Sequence, residues 1–172
     1  MVKKLSLTLI LLVLLGCANT PLKNSSLSPQ EQLLEQKIND WELDDANGLF
    51  SQIRSTLNPE KLDRYETLIS EREQGVKDLE KLINVLKAAF SKNQFFIIER
   101  YTNMGIKNKT KLNELKKLDL SSGNIYTNDP KFNKNQAKIL ALINFYDESL
   151  YLDIVFSFKN GQWEITDFNE RG

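Results

Sequence analysis

Phe156-Ser157-Phe158-Lys159-Asn160-Gly161-Gln162-Trp163-Glu164-Ile165-Thr166-Asp167-Phe168 is the stretch on which the fold turns. Asn160-Gly161 is the clearest hairpin signal in the chain, because both residue types tolerate the positive φ of a two-residue type I′ turn. Folding about it pairs Phe158 with Trp163 and Phe156 with Ile165, which stacks large apolar side chains on one face. The same register sets Asp167 opposite Ile154, on the apolar face near the open end of the sheet. A carboxylate there either sits in a pocket with a raised pKa or caps the strand end in water.

The alternation continues upstream. Leu150, Leu152, Ile154, Phe156 and Phe158 share one face of a strand, and Ala137, Ile139, Ala141, Ile143 and Phe145 share one face of the strand before it. A two-residue turn at Asp147-Glu148 would pair Phe145 with Leu150 and Ile143 with Leu152. Both turns then send the apolar residues to the same side, which predicts a three-stranded antiparallel meander with one buried face. Leu118 to Thr127 offers a fourth strand, weak or bulged at Ser121–Asn124. The opposite face, with Lys138, Leu140, Leu142, Tyr146, Tyr151 and Val155, is only partly polar and offers a second contact surface.

Helices must cover the apolar face. Ser28-Pro29-Gln30-Glu31 is a helix start: serine at the cap, proline in the first turn and glutamate three residues after the cap. Leu34, Ile38, Trp41, Leu49, Ile53 and Leu57, with Ala46 and Phe50, follow at helical spacing, with a break near Asn39-Asp40 where Asp40 could cap a second helix. Asn58-Pro59 repeats the start signal. Leu62, Tyr65, Ile69, Arg72, Val76, Leu79, Ile83, Leu86 and Phe90 then form a stripe that only Arg72 interrupts. That stripe predicts a long helix packed along a partner, and with the first helix an antiparallel hairpin. Gln94–Thr102 and Thr110–Leu118 are shorter candidates, with Phe96, Ile97 and Tyr101 at helical spacing in the first and a loop marked by Gly105 and Asn108 between them. The fold expected is α+β: an N-terminal antiparallel helical hairpin over 29–90, then a small α+β unit over 91–172 that shares the end of the long helix. In that unit short helices pack on a three- to four-stranded antiparallel meander.

The N-terminus reads differently. Lys3 and Lys4 precede an apolar run of eleven residues, Leu5 to Leu15, closed by Gly16 and by Cys17, the one cysteine of the chain. A membrane-spanning helix needs roughly 20 apolar residues, so the run suits an export signal. Leu14-Leu15-Gly16-Cys17 resembles the box of bacterial lipoproteins. That resemblance implies cleavage after Gly16, a signal peptide over 1–16, lipid on Cys17, and a tether over 17–28 (ANTPLKNSSL from Ala18 to Leu27). It places the protein at the cell envelope. The outer membrane, facing the periplasm, is favoured because Ala18 is not the aspartate linked to inner-membrane retention; the outer face of the cytoplasmic membrane and the cell surface are the alternatives.

Composition narrows the chemistry. The chain has 172 residues, with 23 basic and 23 acidic side chains and no histidine. Losing Lys3 and Lys4 with the signal leaves 21 basic against 23 acidic, which gives no argument for a nucleic-acid partner. Without histidine the usual neutral-pH general base and the commonest metal ligand are missing, and so are histidine-activated nucleophiles. No glycine-rich phosphate loop and no metal-ligand spacing occurs, so no catalytic residue, cofactor or metal is expected. The interval Lys92–Lys117 carries seven basic residues against Glu99 and Glu114. It reads as a solvated face or as a contact for lipid headgroups, an acidic partner or an anionic glycan. Little aromatic interleaving within Lys107–Lys117 argues against base stacking.

The terminal hairpin, with its Gly161-Gln162-Trp163-Glu164-Ile165 element after a long and a short helix, resembles nuclear transport factor 2-like lipoproteins over Gly75–Phe168. The resemblance implies a cone, here lined by Phe145, Phe156, Trp163 and Asp167. Enzymes of that superfamily use histidine and aspartate inside the cone, so activity is not carried over. The expected function is a lipid-anchored, non-enzymatic binding or assembly component, attached to the membrane by Cys17 and meeting an envelope protein. The alternatives are a small-ligand carrier or enzyme using the cone, or a structural spacer.

Overall fold

The computed structural model describes residues 27–171. The box Leu14–Cys17, and the tether as far as Ser26, lie outside the described residues. Helix α1 (Pro29–Asn39) begins as its sequence dictates: the Ser28 hydroxyl accepts from the Glu31 amide at 3.2 Å, and the Ser28 amide donates to the Glu31 carboxylate at 2.8 Å. The first helix does break, but Asp40 ends α1 rather than opening α2 (Leu43–Ile53), whose cap position is Glu42. Trp41 turns the chain with a left-handed φ of 62°. Helix α3 (Pro59–Phe90) follows a 3-10 turn, Arg54–Thr56, and the Asn58 side chain caps it by accepting from the Lys61 amide at 2.8 Å. Cross-links fix the directions. Glu31 meets Lys61 and Glu35 meets Arg64, so α1 runs parallel to α3; Asn47 meets Glu73 and Arg54 meets Glu66, so α2 runs antiparallel to it. The expected antiparallel hairpin is formed by α2 and α3, and α1 adds a third helix to the arm. Leu34, Ile38, Ala46, Phe50 and Ile53 bury against Tyr65 and Ile69 in a core of its own.

The C-terminal half of α3 belongs to a second, larger core with α4 (Phe95–Arg100), α5 (Ile106–Leu115) and the sheet. The buried residues of α4 are Phe95 and Ile98, while Phe96 and Tyr101 face solvent, a rotation from the expected stripe. Helix α5 starts earlier than its sequence suggested and takes in Asn108. The sheet has the α+β arrangement expected, with the helices N-terminal to antiparallel strands. Strands β1 (Asn124–Thr127), β3 (Gln136–Phe145), β4 (Glu148–Lys159) and β5 (Gln162–Glu170) lie in the order β1-β3-β4-β5, and the short β2 (Lys131–Asn133) also pairs with β3.

The Asn160-Gly161 turn forms as expected, with φ of 52° and 74°, and Phe158 pairs with Trp163 and Phe156 with Ile165. Two registers differ from expectation. The β3–β4 turn is Tyr146-Asp147, so Phe145 pairs with Glu148 and Ile143 with Leu150. The slip is two residues, and because side chains alternate with period two it leaves every apolar residue on its expected face. In β5 a bulge at Thr166 shifts the pairing between Val155 and Phe156: Val155 now pairs with Asp167, and Ile154 with Phe168. One extra residue reverses which side chain faces the core. Phe168 is buried in the place foreseen for Asp167. On the opposite face, Asp153 is buried between Lys138 and Arg171, both at 2.8 Å.

An aromatic cluster joins arm to sheet. Trp41 stacks on Phe132 (ring centroids 4.9 Å apart) and meets Trp163 at 5.2 Å and Phe158 at 5.3 Å. Its indole N–H donates to the Lys134 carbonyl, and that of Trp163 donates to the Gly75 carbonyl at 2.7 Å. Arg72, the one charge in the α3 stripe, lies over the cluster: its guanidinium carbon is 4.4 Å from the Trp41 ring centre and 5.4 Å from that of Phe158. A guanidinium on aromatic faces is attracted by the ring quadrupoles, so this interruption of the stripe is itself a packing contact. One of its nitrogens is buried without a hydrogen-bond partner, as expected where the ring faces substitute for acceptors.

Candidate functional site

A cleft with an apolar floor lies where the C-terminal end of α5 leaves the sheet. Leu112 and Leu115 anchor that helix in the core. Leu115, Leu118, Phe145, Leu150, Leu152 and Phe168 line the floor, and Glu114, Glu148, Ser149, Glu170 and Lys111 form the rim around a volume of about 300 Å³. Each floor residue from the sheet is there because of a register described above. Leu150 and Leu152 occupy inward positions of β4, and Phe168 is turned inward by the bulge. Apolar floors with a few polar groups at the mouth are what ligand sites share.

One wall is held by charge. The Lys111 ammonium donates to the Asp167 carboxylate at 2.9 Å, to the Asn169 side-chain carbonyl at 2.7 Å and to the Phe168 carbonyl. Lys107 reaches the other Asp167 oxygen at 2.6 Å. Burial opposes ionisation of Asp167, but the donors Lys107, Lys111 and Asn169 outweigh it and hold the carboxyl well below the usual carboxylate range. Asp167 is thus an anion at neutral pH that clamps α5 to β5, the reverse of a proton donor with a raised pKa. Its native state binds fewer protons than its unfolded state, so the clamp's contribution is present above the ordinary aspartate pKa of about 3.9 and is lost as pH falls through the lower native value. Asp167→Asn is therefore expected to lower stability at neutral pH. The gap from the parent chain should persist down to about pH 4 and close in stronger acid; urea melts across that range check it, and a gap constant with pH would refute it.

Because Asp167 takes up the Lys111 charge, the rim of the cleft is left with three carboxylates, Glu114, Glu148 and Glu170. The arrangement can hold an apolar group that carries positive charge beside it. Among the described residues, no group of three or more histidine, cysteine or carboxylate side chains is placed to hold a metal ion.

Of the four residues expected to line one cone, Phe145, Phe156 and Trp163 share the large core, and Asp167 lies outside it. Phe145 walls the cleft. Phe156 is fully buried in the large core. Trp163 belongs to the aromatic cluster and borders a broader depression with Arg100 and Tyr101. Asp167 sits in the lysine clamp. Leu115, Leu118, Leu150, Leu152 and Phe168 are cleft residues not foreseen as such; the alternation that marked Leu150 and Leu152 as inward-facing was the available signal. The lipid-attachment residue Cys17 lies outside the described residues. No protein-family model, no curated protein and no solved structure matches the chain.

Proposed function

We propose that the chain is a lipid-anchored cell-envelope protein, attached through Cys17 to the outer membrane on its periplasmic side, that binds an envelope partner non-enzymatically. The observation that carries the binding part is the acid-rimmed apolar cleft between α5 and the ends of β3, β4 and β5. Its volume of about 300 Å³ stands at the lower limit of small-molecule sites, roughly 300–1,000 Å³. That size favours an apolar side chain flanked by basic residues on a protein partner over an enclosed small-molecule cargo. The anchor rests on Lys3, Lys4, the apolar run and the box ending in Cys17. No helix among the described residues is long and apolar enough to cross a membrane.

Separate variants test the two parts. Cys17→Ser is expected to abolish incorporation of labelled fatty acid; label that still enters the variant removes the anchor. A photo-crosslinking residue at Ser149, on the cleft rim, is expected to join the chain to an envelope protein, and Leu150→Glu on the floor to abolish that adduct. An adduct unchanged by Leu150→Glu removes the cleft.

A further inference from the structure

Helix α4, the connection after it and the first residue of α5 hold an apolar protrusion that the proposed function does not use. Ile106 is 89% exposed, Phe96 56%, Met104 41% and Tyr101 39%. A cluster of large apolar side chains in water within one short segment is unfavourable unless something covers it. The segment is also held rigidly. The Ile165 amide donates to the Tyr101 carbonyl at 2.6 Å and the Asn103 amide donates to the Ile165 carbonyl at 2.8 Å, which adds the chain as a short bridge to the free edge of β5. The buried Asn108 side chain then donates to the carbonyls of Asn103 (2.7 Å) and Thr166 (3.0 Å). These bonds fix both flanks and leave Met104-Gly105-Ile106 projecting.

Charge surrounds the protrusion asymmetrically. Arg100 lies 5.7 Å from the Phe96 ring centre, and Lys107 and Lys109 follow Ile106 on the first turn of α5. Of the nearby carboxylates, Glu99 is engaged by Lys116, Asp167 by Lys107 with Lys111, and Asp78 by Lys81, while Glu164 borders the depression it shares with Arg100, Tyr101 and Lys159. The acidic cleft rim lies at the other end of α5: Ile106 and Leu115 are separated by about 13 Å of helix axis.

We infer that Phe96, Tyr101, Met104 and Ile106, with Arg100 and Lys109 around them, form a docking surface for the anionic headgroup layer of a bilayer. Apolar side chains entering the interface and basic side chains meeting anionic lipid are the two attractions that hold peripheral proteins on membranes. The inference rests on the proposed anchor for its geometry. Helix α1 begins beside Lys61, and Leu82, which borders the depression shared with Tyr101, lies 21 residues further along α3, about 32 Å. The ten residues from Ala18 to Leu27 reach about 35 Å when extended. The extended tether is therefore long enough to match the length of α3 between its own attachment and the patch.

The test uses the processed chain, residues 17–172 with Cys17→Ser, which carries every described element and no lipid. It is expected to sediment with phosphatidylglycerol-containing vesicles and only weakly with pure phosphatidylcholine. Met104→Glu with Ile106→Glu should reduce binding at least about tenfold, and Lys109→Glu about tenfold at low salt but less at high salt. All three side chains are exposed, so unchanged thermal unfolding will show that the variants fold. No sedimentation with anionic vesicles, or equal sedimentation of the variants, overturns the inference. So does a result in which these substitutions abolish only a crosslink to an acidic protein. The anchor is judged separately by fatty-acid labelling of Cys17.

Discussion

Trp41→Ala is expected to lower the stability of the chain by about 3–5 kcal/mol, the range for removing a large buried aromatic side chain. The side chain contacts Phe132, Phe158, Trp163 and Arg72 and is 7% exposed. In a chain of this length that is a fall in Tm of roughly 10 °C. The loss should be uneven. The arm keeps its core of Leu34, Ile38, Phe50, Tyr65 and neighbours, and the sheet keeps its own. Removal of Trp41 loosens the contact between them, which α3 still spans, and loses the indole hydrogen bond to Lys134. Limited trypsin digestion should therefore cut first at Lys131 or Lys134, before either core melts. Trp41→Gly should be about 1 kcal/mol less damaging than Trp41→Ala, because a Cβ in the left-handed region carries a penalty of that order. Equal cleavage of parent and variant at those lysines would show that Trp41 does not couple arm to sheet.

Gly75→Leu approaches the same cluster from the other side. A Cβ at Gly75 would lie 3.0 Å and 3.1 Å from two carbons of the Trp41 ring and 3.2 Å from the Phe158 ring. Neither ring is free to withdraw: Trp41 is fixed by Phe132, Arg72 and the Lys134 carbonyl, and Phe158 packs on both tryptophans. Leucine would regain close to 1 kcal/mol of helix propensity. Against that, overfilling a close-packed contact costs about 1–3 kcal/mol and occasionally more, and displacement of α3 would stretch the Trp163 bond to the Gly75 carbonyl. A net loss of about 2 kcal/mol is expected, read as a lower urea midpoint with unchanged helix content. Gly75→Ala should fall between parent and leucine variant. A leucine variant as stable as the parent would mean that α3 can shift away from the sheet freely.

The fold was legible where local chemistry dictated it. Asn160-Gly161 supplied the one turn with strong conformational preference, and the strand pairing beside it followed. The Tyr146-Asp147 turn carries no comparable signal, so its register was two residues off; period-two alternation protected the buried face from that error. The bulge at Thr166 had no glycine to announce it, and so the environment of Asp167 was inverted. Trp41 was read as one more residue of a helical stripe, because a bulky side chain at φ 62° is held there by tertiary contacts that propensity does not contain. Arg72 stood out in the sequence as an exception, but its aromatic partners lie on residues 41 and 158, beyond any local pattern. The cleft was hidden for the same reason. Its floor is assembled from α5, the segment after it and three strands, and one of those residues, Phe168, faces inward only because of the bulge.

The chain has two tryptophans, and both stand in the cluster that joins arm to sheet. Their ring centres are 5.2 Å apart, beneath a guanidinium that lies 4.4 Å from one of them. The ultraviolet emission of the native protein therefore reports on this joint and little else. Opening of the joint is an optical event, separable from the loss of helix or strand, and it can be followed without attaching a dye.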